Sequence, residues 1–94
     1  MNKDESVIII NPNLEEEAIK ALIEKFSKLI SSDGNVVSID EIGNKKLAYE
    51  IKKNKEGYYV VIKFEANPNL ISELERVYRI TDEVIKFIVV KEEE

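Results

Sequence analysis

"NPNL" stands at Asn11–Leu14 and returns at Asn67–Leu70. Each copy follows an apolar run, "VIII" at 7–10 and "VVIKF" at 60–64. Each precedes a stretch with helical spacing, "EEEAIKALIEKFSKLI" at 15–30 and "ISELERVYRI" at 71–80. Proline lacks the N–H a sheet ladder needs, so it stops a strand, and asparagine readily caps a helix. A chain that crosses twice from strand to helix through the same four letters reads as two strand–helix units. The repeat is corner chemistry rather than a binding motif.

Working outward, "ESVIIIN" at 5–11 predicts a first strand rich in β-branched residues. Asn13 is the expected N-cap of the first helix, with Glu16 in capping-box register and Glu15 and Glu17 favouring its dipole. Ile19, Leu22, Ile23, Phe26, Leu29 and Ile30 then form one apolar face, and Gly34 is the expected left-handed stop. A second strand begins at Val36 and resumes past Gly43-Asn44, which is either a bulge or a short break. "KKNKEG" at 52–57 reads as a hairpin turn with Gly57 in the strained position. "YYVVIKFE" is the third strand. Leu70, Leu74, Val77 and Tyr78 mark the second helix, "ITDE" a turn, and "VIKFIVVK" at 84–91 a fourth strand.

The order β1α1β2β3α2β4 is the ferredoxin-like split β-α-β of the α+β class. Right-handed crossovers put both helices on one face of a four-stranded antiparallel sheet, with the first and third strands in the centre. Residues 1–91 are expected to make a single domain, with 92–94 as a short acidic tail. The 94 residues are 44% hydrophobic, enough for a real core. No apolar run approaches the ~20 residues that span a bilayer. The N-terminus lacks the apolar core of a secretory signal. Without cysteine, disulfides and thiolate metal sites are excluded, and a cytoplasmic address is the expectation. Without histidine, the usual neutral-pH base and transition-metal ligand are missing as well.

Two helices cover one side of such a sheet, and the other side should carry polar residues. Here it does not. Ile8, Ile10, Val60, Ile62, Phe64, Phe87 and Val89 belong against the helices. That leaves Val7, Ile9, Tyr59, Val61, Ile88 and Val90 on the uncovered side, a contiguous apolar patch of the kind that marks an interface. A partner protein or a second copy of the chain would cover it.

Net charge is −5, which argues against indiscriminate nucleic-acid binding. The hairpin nevertheless holds Lys45, Lys46, Lys52, Lys53 and Lys55 against one acid, Glu50. Arg76, Arg79, Lys86 and Lys91 suggest a second basic edge. Tyr49, Tyr58 and Tyr59 lie close enough in sequence to stack on bases or riboses. Solvated lysines that discourage edge-to-edge aggregation are the competing explanation of the hairpin charge. Catalytic signals are missing: the three glycines are isolated, Glu15–Glu17 diverge around a helix, and the serines have no histidine beside them. No enzyme, cofactor or metal is expected.

"KKLAYEIKKNKEGYYVVIKFEANP" at 45–68 and "LERVYRITDEVIKFIVVK" at 74–91 resemble bacterial ribosomal protein six of the small (30S) subunit. The likeness runs from about Glu5 to Lys91. It implies a ferredoxin-like fold and a structural role in the cytoplasmic ribosome. Members bind 16S rRNA in the central domain together with small-subunit ribosomal protein eighteen, a basic partner. The family's basic positions match Lys3, Lys45, Lys46, Arg79, Lys86 and Lys91, which implies phosphate or partner contacts there. Two positions depart from the family: Asp4 replaces an aromatic and Ser6 a hydrophobe, so Asp4 is expected to repel phosphate and Ser6 to weaken core packing or partner contact. The alternative reading is an engineered or stand-alone ferredoxin-like domain that self-associates, as a homodimer, through its open sheet face and binds no RNA. An acylphosphatase-like enzyme on the same fold would need a phosphate loop that is absent beside the first strand.

Overall fold

The computed structural model describes residues 2–91; the acidic tail expected at 92–94 lies outside the described residues. Element order is β1 (Asn2–Ile10), α1 (Glu16–Ser31), β2 (Gly34–Ile51), β3 (Asn54–Ala66), α2 (Pro68–Ile80) and β4 (Val84–Lys91). The sheet order is β2-β3-β1-β4, with every pairing antiparallel. The expected ferredoxin-like arrangement is therefore present, with β1 and β3 central.

The main core forms where the even-numbered residues of β1 and β3 meet the helices. Ile8, Ile10, Val60, Ile62 and Phe64 pack against Ile19, Ile23, Phe26 and Ile30 of α1 and Leu70, Leu74, Val77 and Tyr78 of α2. Spacings of three and four along each helix put these residues on one stripe. Tyr78 joins the layers: its ring meets Phe26 edge-on at 4.8 Å and Phe87 at 5.2 Å.

The two "NPNL" corners are not equivalent. Pro68 is the first residue of α2, where its missing N–H costs nothing. Pro12 lies in a turn four residues ahead of α1, held by the Asn13 N–H donating to Asn11 Oδ1 at 2.9 Å. The expected asparagine caps are corrected. Glu15 flanks α1 and Asn67 flanks α2, and neither side chain caps its helix. Gly34 also differs from expectation. Helix α1 ends through Ser32 in a right-handed conformation, and Gly34 opens β2. Gly43, at φ +99°, is a bulge within one long β2 and not a break.

Ser6 and Asp4, two even-numbered residues of β1, both point into the helix-covered layer. Ser6 is fully buried and its Oγ lies 3.0 Å from the Tyr78 hydroxyl. It therefore satisfies a polar atom in the core instead of weakening it; net, such a bond is worth about 1 kcal/mol. Asp4 is buried too, across the β1–β4 ladder from Lys91, and its Oδ2 has no hydrogen-bond partner. It faces the protein interior and not a phosphate.

Burial holds the Asp4 carboxyl above its usual range, and the nearby Lys91 ammonium pulls weakly the other way. A raised folded-state pKa favours the protonated form. Its contribution to stability is full below the unfolded carboxylate pKa and is lost as pH rises through the folded value. Asp4→Asn should therefore raise the unfolding free energy at pH 7 by on the order of 1 kcal/mol, seen as a higher urea midpoint. That gain should shrink toward zero near pH 3, as paired urea melts of the two proteins at both pH values would register.

Candidate nucleic-acid and partner interface

On the face without helices, paired residues follow the register rows Tyr59–Ile9–Lys86 and Val61–Val7–Ile88. Ile9 is only 8% exposed. What covers it is the chain's own hairpin. Between the pairs Lys46–Glu56 and Ile51–Asn54, β2 advances five residues while β3 advances two. The surplus lets Leu47 and Ile51 fold back over the sheet, where they pack with Ile9, Tyr59 and Ile85 in a second small core.

Ile85 reaches that core through a bulge. The β1–β4 register slips between Ile9 and Ile10, which pair with Lys86 and Val84. The slip sends Val84 to the helix side and Ile85 to the open side, whereas strict alternation would do the reverse. Gly57 makes the closure sterically possible, because a β-carbon there would overlap the Ile9 γ2 methyl. This corrects the expectation that Gly57 occupies the turn. The turn residues are Lys52 and Lys53, at φ 48° and 66°.

The patch expected from sequence thus divides. Ile9 is enclosed and Tyr59 half-buried against it. Val7 and Val61 are half-buried, while Ile88 and Val90 on β4 stay 49% and 44% exposed. Between the folded hairpin and this open end lies an apolar cleft of about 220 Å³, lined by Val7, Leu47, Tyr49, Tyr59 and Ile88 among others. Tyr49 and Lys86 both line it. Lys86 Nζ donates to the Tyr49 hydroxyl at 3.2 Å and sits 5.6 Å from the ring centroid.

The six expected cations do not gather at one place. Lys3 pairs in register with Glu65, Lys46 with Glu56 and Lys91 with Asp4, so each faces a carboxylate-bearing position across the ladder. Lys3 and Lys91 lie at the end of the sheet opposite the hairpin. Six residues of β1 separate the Lys3 row from the Lys86 row, about 20 Å of strand. Arg76 is committed to Glu73 one turn away, its Nε donating to Glu73 Oε2 at 3.2 Å. Lys45, Arg79 and Lys86 are exposed on the hairpin half of the molecule. Among the described tyrosines, Tyr58 packs against the main core with its hydroxyl on Glu41, and Tyr49, 65% exposed, is the most open to solvent.

A family profile, Ribosomal protein S6, matches residues 3–91. The chain belongs to that family. Curated relatives named small ribosomal subunit protein bS6 are 55% identical in Clostridium novyi, over 99% of both chains, and 53% in Clostridium perfringens, over 100% of both. The crystal structure of 30S ribosomal protein S6 from Thermotoga maritima superposes with a TM-score of 0.92 at 38% identity, covering 97% of this chain and 87% of that one. A protein from Arabidopsis thaliana shares the fold alone, at 14% identity and a TM-score of 0.57 over 100% of this chain and 95% of that one.

Membership in the S6 family makes the chain a structural ribosomal protein of the cytoplasm and not an enzyme. The open-face packing roles that sequence reasoning passed over are those of Leu47, Tyr49, Ile51 and Ile85, Tyr49 having been named only as a ring that could stack on RNA. The first three alternate with period two in "LAYEI" and were legible as one face; Ile85 depends on a bulge that alternation conceals. Gly57→Ala forces the Ile9 contact apart. It should cost about 1–3 kcal/mol in chemical denaturation, with loss of amide protection at Leu47–Ile51 beyond the loss in the helix-covered core.

Proposed function

We propose that the protein is a component of the small ribosomal subunit that binds 16S rRNA in the central domain together with small-subunit ribosomal protein eighteen. The observation that carries this reading is the open half of the sheet, where Ile88 and Val90 stand exposed beside Val7 and Val61 in a chain of this family. Affinity for RNA grows with the number of phosphates neutralised. A chain of net charge −5 with its cations split between two ends supplies few such contacts. A basic companion seated on the apolar end adds the rest, and its opposite charge favours rapid, correctly oriented association.

The same residues support a second reading. No charged residue separates Val7, Val61 and Ile88 in the register, so the patch could equally meet its own copy in a homodimer. Titration of central-domain 16S RNA at moderate salt, with and without the partner protein, separates the two. Tight binding should appear only with the partner, and Ile88→Asp should weaken that partner-dependent step by about tenfold, or ~1.4 kcal/mol. RNA binding indifferent to the partner would refute the proposal, and a sedimenting homodimer dissolved by Ile88→Asp would establish the second reading in its place.

A further inference from the structure

The hairpin turn is built from unexpected residues. Ile51 and Asn54 pair across a two-residue loop, and both loop residues, Lys52 and Lys53, take left-handed backbone values. Such turns ordinarily use asparagine and glycine, because a β-carbon resists that conformation. Here the Asn54 side chain helps hold the turn, its Nδ2 donating to the Lys52 carbonyl at 3.2 Å. A strained position kept by a long cationic side chain points to work for that side chain.

The fold-back of the hairpin determines where Lys52 goes. It carries Lys52 to the start of β4, where it lines a cleft of about 270 Å³ with Arg79 from the last turn of α2 and Lys86 from β4. Tyr78 and Val84 also line the cleft, and among the described residues no acidic one does. Among the described residues, none of the three cations is in an ion pair, in contrast to Arg76 one turn earlier. Lys86 is already oriented by the Tyr49 hydroxyl, so less of its freedom remains to be lost on binding. Asp82 and Glu83 follow closely in sequence but do not line the cleft.

We infer that Lys52, Arg79 and Lys86 form a cradle for one phosphodiester of the RNA backbone. The inference rests on the RNA binding proposed above and deepens it. It adds Lys52, a residue outside the six that the family resemblance implies, and it assigns Arg79 and Lys86 to one phosphate. Three cations from three separate elements suit the two free oxygens of a phosphodiester, and the contact positions the RNA without reading its bases.

The adjacent turn residue supplies a matched control. Lys53 has the same left-handed backbone and the same charge, but it lines a different cleft with Pro12 and Asn13. Asparagine suits the turn at either position, so Lys52→Asn and Lys53→Asn both preserve folding. In the partner complex, Lys52→Asn should lower the slope of log affinity against log salt by about 0.7–0.9, the signature of one lost phosphate contact. Lys53→Asn should leave that slope unchanged. Inorganic phosphate added to the protein alone should shift the Arg79 and Lys86 side-chain NMR signals, and the shift should vanish in Lys52→Asn. Equal slopes in the two variants would overturn the cradle while leaving partner-dependent RNA binding intact. Phosphate shifts without any RNA binding would overturn the RNA occupant together with the proposed function.

Discussion

Ile9 can lie flat against β3 only because Gly57 has no β-carbon. That contact is the constraint on which the uncovered side of the sheet depends. With Ile9 seated, Leu47 and Ile51 have an apolar surface to fold onto, and the bulge in β4 supplies Ile85 from the other edge. A hairpin that would otherwise project into water is bent across the end of the sheet. Its bend brings Tyr49 to Lys86, and the strained turn beyond it delivers Lys52 to the same neighbourhood.

The consequence is a molecule with two unlike ends on one face. At the hairpin end, apolar residues are buried by the chain itself, and cations collect above them. At the other end Ile88 and Val90 remain open, and the nearby cations Lys3 and Lys91 face Glu65 and Asp4 across the ladder. Phosphate recognition suits the first end and protein recognition the second. The helix-covered side is closed by the main core. Its polar atoms are spent internally, as in the Ser6–Tyr78 bond and the Thr81 hydroxyl that donates to the Val77 carbonyl at 2.6 Å to close α2.

Period-two and period-three-to-four patterns made the six elements and the main core legible, since Val60, Ile62 and Phe64 oppose Ile23 and Phe26 by spacing alone. The open face was legible as apolar but not as partly covered, because its cover comes from a register slip that alternation cannot announce. Repetition misled at "NPNL". The same letters open a helix directly at Pro68, but at Pro12 they make a turn that ends before the helix begins. Glycine misled in a similar way: Gly57 is required for close approach across strands, whereas lysines carry the left-handed turn. The basic residues were identifiable by type, yet their grouping follows from the fold-back, and Lys52, counted among the hairpin lysines, stood outside the six expected contacts.

Proton–proton Overhauser contacts in the free protein test the central claim most directly. The hairpin fold-back predicts strong cross-peaks from the Ile9 γ2 methyl to the Gly57 α-protons and to the Leu47 methyls, together with contacts between the Tyr49 ring and the Lys86 side chain. A spectrum in which Ile9 shows no cross-peak to Gly57 or Leu47, with Leu47 and Tyr49 averaged like free chain, would contradict it.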